Sequence, residues 1–203
     1  MVGTLTRRNA MKYISLDLET TGLNPEKCQI LEIGAVLEDT AQQQTIKNLP
    51  HFHAYVRHEL YSFEPFALRM NWELVKSIVY KEVETIHVED LASRFRDWLS
   101  ANGILVGSMT YAGKNFGSFD MQFLKQVPGW TDKVKMKHRA FDVGCMMWQA
   151  GDEVIPDLAT CAKRAGLTEI VAHRAIDDAE MVVAIMRTKY GYKSDAVFGH
   201  PNS

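Results

Sequence analysis

In Lys12-Tyr13-Ile14-Ser15-Leu16-Asp17-Leu18-Glu19, apolar and polar residues alternate. Ile14, Leu16 and Leu18 point to one face; Tyr13, Ser15, Asp17 and Glu19 point to the other. That is the two-residue period of a β-strand. The apolar face fixes the strand, and Asp17 and Glu19 then project side by side. Two carboxylates so held repel unless a cation sits between them. For this pair alone, a solvated acidic strand end is as good a reading as a cation site. Thr20-Thr21-Gly22-Leu23 leaves the strand through a turn whose hydroxyls and backbone N–H groups can meet a phosphate or a sugar.

The segments around this strand predict its partners. Residues 30–37 are apolar except for Glu32 and Gly34, as in a strand buried on both faces. Phe52, Ala54 and Val56 alternate with His53, Tyr55 and Arg57, which gives a third strand and, with the short spacing, an antiparallel meander. Pro65 suits a first helical turn, and Leu68, Trp72, Val75 and Val79 follow at helical steps. Val88, Leu91, Phe95 and Trp98 repeat that pattern. Residues 104–112 read as a fourth strand and 140–143 as a short fifth. Residues 157–165 read as a helix stopped by Gly166. Ile176, Ala179, Val183, Met186 and Tyr190 mark the last helix. The expectation is an α/β domain over 11–190, with a mixed five-stranded central sheet flanked by helices. Residues 1–10 read as a loose leader and 191–203 as a flexible tail.

Composition narrows the class. The 203 residues suffice for one domain. With 46% hydrophobic and 24% charged residues, the chain is neither disordered nor fibrous. A net charge of -2 means that any nucleic-acid surface is local. Cys28, Cys145 and Cys161 are too scattered for a disulfide framework or a zinc cluster. No apolar run approaches the roughly 18 residues of a membrane span. Arg7 and Arg8 are followed by no signal-like apolar region, so the expected compartment is the cytosol.

Two further acidic pieces occur downstream. Asn115-Phe116-Gly117-Ser118-Phe119-Asp120 follows the fourth strand, with Asp120 near the start of a helix packed through Phe119, Phe123 and Leu124. Alone, such an Asp reads as a cap or a dipole partner. His173-Arg174-Ala175-Ile176-Asp177-Asp178-Ala179 opens the last helix, with Asp178 between the apolar Ile176 and Ala179 and His173 on the preceding loop.

Together the three pieces resemble the DEDD superfamily of 3'→5' exonucleases, in the subgroup with a histidine in its third motif (DEDDh). Asp17 to Gly22 is similar to the first motif, Phe119-Asp120 to the second, and His173 with Asp178 to the third. Ile30-Leu31-Glu32-Ile33-Gly34 and Ala67-Leu68-Arg69-Met70-Asn71 look like the family's second strand and first helix. The similarity spans about residues 12–190, and the four acids and the histidine are intact. It implies a ribonuclease H-like fold and a hydrolase that releases nucleoside 5'-monophosphates from single-stranded DNA or RNA with a free 3' end. It also implies two divalent ions, Mg²⁺ or Mn²⁺, on Asp17, Glu19, Asp120 and Asp178. Four carboxylates in one pocket carry about -4 of charge, which two such ions neutralise. Two ions about 4 Å apart suit an in-line phosphoryl displacement. His173 is then the candidate base for the attacking water. Thr20, Thr21, Gly22, Leu23, Asn115 and Phe119 are the expected substrate contacts, Leu23 as a wedge against the terminal base. The resemblance also implies a homodimer, and the lack of a long apolar run implies no membrane partner.

Other features have plainer readings. The alternating Lys133, Lys135, Lys137 and Arg139 either track phosphates or form a solvated loop. His51 and His53 share a strand face with Tyr55 and are expected to face solvent rather than a metal. Glu32 and Asp142 read as structural or supporting carboxylates. The competing class is a nucleic-acid-binding or scaffold module that keeps the fold without the chemistry; the intact acids and histidine argue against it.

Overall fold

The computed structural model describes residues 11–42, 44–107, 109–167 and 173–191. The expected leader, and the expected tail beyond Gly191, lie outside the described residues. The strands are β1 (Lys12–Thr20), β2 (Ile30–Asp39), β3 (His51–Arg57), β4 (Thr85–His87), β5 (Thr110–Gly113) and β6 (Ala140–Asp142). They stand in the order β4-β3-β2-β1-β5-β6. β2 is antiparallel to both β1 and β3, whereas the β1–β5, β5–β6 and β3–β4 pairs are parallel. So the meander is present, and β2 alone runs against the rest.

The register of β1 follows from its apolar face. Ile14, Leu16 and Leu18 are buried against helix α3 (Val88–Ala101), α4 (Asp120–Gln126) and α5 (Trp130–Lys133), through Leu91, Phe95, Phe123, Leu124 and Trp130. Each such aliphatic contributes about 1.5–3 kcal/mol when fully buried. A slip by one residue would turn all three out and drive Asp17 and Glu19 into that layer. The opposite face carries Tyr13, Val36 and Ala112 against α6 (Val143–Met147), α7 (Leu158–Arg164) and the long α8 (Ala175–Tyr190).

Helix α8 crosses that face along rows of paired strand residues. Ser15 on β1 donates its hydroxyl to the Ala179 carbonyl at 2.7 Å. At the far end, Arg187 Nε meets Glu38 Oε2 at 2.6 Å, both side chains fully buried. On the other side of Ser15, at the start of the helix, Gly34, paired with Asp17, lets the Ala175–Ile176 backbone settle directly on the sheet. The first turn of α8 therefore lies over the end of β1 that carries Asp17 and Glu19.

Several expectations change. The sheet has six strands, because Thr85–His87 pairs with β3 just before α3; three residues are too few to display a period. The expected fourth strand shrinks to Thr110–Gly113, since Gly103 and Gly107, with φ of 68° and 77°, break the extended chain before it. The helix after Pro65 is two helices, α1 (Pro65–Met70) and α2 (Trp72–Val79), which meet at Asn71. The break re-aims α2, so that Leu74, Val75 and Ile78 are buried while Trp72 and Val79 stay exposed. Among the described residues no helix is long and apolar enough to cross a membrane.

Candidate active site

Asp17 and Glu19 share the α8 face of β1, and Asp178 stands in the first turn of α8. One carboxylate oxygen from each can be chosen so that all three lie within 4.8 Å of one another. Asp120 opens α4 outside this trio; it is 1% exposed, and its carboxylate accepts the Leu18 backbone N–H. Asp120 Oδ1 and Asp178 Oδ1 are buried without a hydrogen-bond partner. A buried carboxylate oxygen left unpaired costs about 1–3 kcal/mol or more, so these oxygens call for a ligand. Asp177, one residue away, is exposed.

The titration of these groups reports the same crowding. Burial, followed by Asp120, Asp178, Glu19 and Glu32, pushes the Asp17 carboxyl well above the usual carboxylate range. Burial lifts Glu19 to about 8, against the pull of a hydrogen bond from Asn71 and of Arg174. Burial, with Asp177 and Glu32 nearby, lifts Asp178 to about 7. Asp120 is raised by burial, and backbone hydrogen bonds oppose the rise. Without a counter-cation the cluster keeps protons near neutral pH. An all-oxygen, multiply anionic donor set fits a hard divalent cation, and Asp17, Glu19, Asp120 and Asp178 are the residues that can hold one.

The remaining expected residues are placed as follows. His173 is exposed, with a left-handed φ of 50°, at the entry to α8. Thr20 and Thr21 are buried and turned inward: Thr20 Oγ1 donates to the Gly22 carbonyl at 2.7 Å, and Thr21 Oγ1 accepts the Gln29 N–H at 2.8 Å. Gly22 is closed in by Cys28 and Glu64. Leu23 projects from this turn, 71% exposed. Asn115 is exposed at φ 61°, its amide oxygen bonded to Lys114 and its backbone N–H to Asp142. Asp142 also caps α6 through the Gly144 and Cys145 N–H groups, a structural role. Phe119 is half-buried against Phe123.

The basic stretch is divided between the end of a helix and the loop that follows it. Lys133 ends α5 and bonds Ser93 at 2.8 Å, and Lys135 has φ 51°. Residues 135–139 precede β6, at the end of the sheet away from the carboxylates. His51 and His53 turn to protein partners: His51 pairs with Glu180 at 2.9 Å and His53 with Glu32 at 2.7 Å. Three residues beside the cluster went unread in the sequence. Asn71 bonds both Glu19 and the Thr20 carbonyl. Arg174 and Tyr55 meet over Glu32. Such contacts join distant segments and leave no local pattern.

A mixed sheet with β2 reversed, and acids from β1, α4 and α8 gathered at one end, defines a nuclease-type site. The sequence model of the exonuclease family (RNase_T) matches residues 14–186. The chain belongs to this family, and the resemblance read from its three motifs is borne out. Among curated proteins, none matches by sequence. Among solved structures, the chain is similar to Escherichia coli exonuclease I in complex with a dT13 oligonucleotide: TM-score 0.61, 16% identity, 89% of this chain and 40% of that one covered. The dA16 complex of the same enzyme gives TM-score 0.62 and 16% identity over 92% and 42%. Its zinc-bound single-stranded DNA complex gives 0.62 and 15% over 93% and 42%. The chain thus spans less than half the length of these structures. The fold is the ribonuclease H-like one.

Proposed function

We propose that this chain is a 3'→5' exonuclease that removes nucleoside 5'-monophosphates from single-stranded DNA. The observation that carries this reading is the convergence of Asp17, Glu19 and Asp178, with Asp120 beside them and two buried carboxylate oxygens left unpaired. Family membership supports the reaction class. The oligonucleotides named for the exonuclease I structures favour DNA as the first substrate to test.

Asp17, Glu19, Asp120 and Asp178 would hold two divalent ions, Mg²⁺ or Mn²⁺. When bound, these supply Lewis-acid stabilisation of the attacking and leaving oxygens. The protein's own groups do the rest. His173, exposed at the entry to α8, takes the proton of the attacking water. Leu23 packs against the terminal base, and the backbone of the Thr20–Gly22 turn seats the last nucleotide. Asn115 and Phe119, in the segment that leads into Asp120, contact the substrate strand. Incubating matched single-stranded DNA and RNA with Mg²⁺, and again with EDTA, tests the proposal: 5'-monophosphates are expected from DNA with the metal and none with EDTA. Homodimerisation, an expectation from the family resemblance alone, is read by light scattering.

A further inference from the structure

Glu19, Glu32 and Tyr55 form one cross-strand row on β1, β2 and β3, directly paired and therefore on the face that α8 covers. Arg174 reaches over that row. Its Nε lies 3.3 and 3.4 Å from the two oxygens of Glu32, and Nη2 bonds the Tyr55 hydroxyl. Its guanidinium carbon stands 5.6 Å from the centre of the Tyr55 ring. Glu32 is fully buried and is braced from behind by His53. A fork held by a carboxylate, a hydroxyl and an aromatic face has little freedom left.

Arg174 follows His173 directly in the chain. It is the cap residue of α8, and its carbonyl accepts the Asp178 N–H at 2.9 Å. His173 adopts a left-handed backbone, which costs a non-glycine residue about 1–2 kcal/mol unless its surroundings hold it. The side chain of His173 is exposed, and among the described residues the clamp on the next residue is placed to hold its backbone.

We propose that the Glu32–Arg174–Tyr55 clamp is a positioning device for His173, fixing the backbone from which the imidazole reaches the scissile phosphate. This rests on the reading of His173 as the base. Arg174 is then a positioning residue, and its effect passes through His173. The rival role is direct: its guanidinium side chain is 43% exposed and would itself grip a substrate phosphate.

The test is a double-mutant cycle on single-stranded DNA with Mg²⁺. Arg174→Ala should lower kcat about 10–100-fold, the range of supporting residues around metal sites, with KM within about threefold and the Mn²⁺-induced rise in Tm retained. In a His173→Ala background the same change should cost less than about twofold. Arg174→Lys, which keeps the charge and loses the fork, should be as slow as Arg174→Ala, and Tyr55→Phe should be intermediate. Full additivity with His173→Ala, a rise in KM at unchanged kcat, or full activity in Arg174→Lys would each overturn the clamp. An inactive wild type, or His173→Ala as fast as wild type, would overturn the base reading and the clamp with it.

Discussion

Gly34 of β2 lies directly beneath the Ala175–Ile176 peptide bond of α8. A β-carbon built on Gly34 would meet Ala175 C and Ile176 N at 2.3 Å, far inside contact distance, and both are backbone atoms with no rotamer to change. Gly34 pairs with Asp17 across the strands, so this close approach is what brings the third motif down onto the first.

Gly34→Ala should therefore lift the start of α8 and carry Asp178 away from Asp17 and Glu19. The expected result is a folded protein, destabilised by about 1–3 kcal/mol as in overpacked cores, that has lost cleavage and the Mn²⁺-induced rise in Tm. Circular dichroism and thermal melts read both. A full metal response in the mutant would detach Asp178 from the close approach at Gly34.

Asp177 and Asp178 are adjacent on α8, so their side chains point about 100° apart. Asp178 is 7% exposed and belongs to the carboxylate trio, whereas Asp177 faces solvent. Asp178→Asn is expected to slow cleavage about 10³-fold or more, about 4 kcal/mol of barrier, while Asp177→Asn keeps most activity. His173→Ala should be nearly inactive yet still bind Mn²⁺. Rates and metal-induced Tm shifts for the three mutants decide it. An inactive Asp177→Asn would move the third motif by one residue.

The raised carboxyls fix the sign of a pH effect. Between the ordinary carboxylate range and the folded values of about 7 for Asp178 and about 8 for Glu19, the folded state binds more protons than the unfolded one. Metal-free stability should therefore fall as pH rises through this window. Metal competes with those protons, so the Mg²⁺-induced rise in Tm should be small near pH 5.5 and grow toward pH 8. Melts with and without Mg²⁺ across this range test it. A metal effect that shrinks with rising pH would contradict it.

Glu38 and Arg187 form a fully buried pair at 2.6 Å, at the opposite end of α8 from the cluster. Arg187 also holds the Gln44 carbonyl at 2.9 Å. Arg187→Met leaves Glu38 buried without this partner and should cost about 3–5 kcal/mol in urea unfolding, with the rate per folded molecule unchanged. A loss below about 1 kcal/mol would show that the pair does not secure α8.

The legible parts of this site were those with a short-range signature. Asp17 and Glu19 were readable because the period of two in β1 is enforced by Ile14, Leu16 and Leu18. Asp178 was readable because Ile176 and Ala179 bracket it on a helix. Asn71 and Arg174 were not: one breaks a helix to reach Thr20, and the other bonds Glu32, 142 positions earlier. The split of the helix after Pro65 was hidden for the same reason, since the contact that accompanies it comes from β1. β4 was missed because three residues carry no period. The extra length assigned to the fourth strand came from apolar Ile104, Leu105 and Val106, whose flanking glycines turn the chain.

The central claim is removal of nucleotides from a free 3' end at the metal-holding carboxylate cluster. Its most direct measurement is the digestion of a 5'-labelled linear single strand beside a covalently closed circle of the same sequence, with Mg²⁺. The linear strand should give a descending ladder that EDTA abolishes, and the circle should survive. Cutting of the circle at a rate comparable to the linear strand, or an unchanged linear strand in Mg²⁺, would contradict the account.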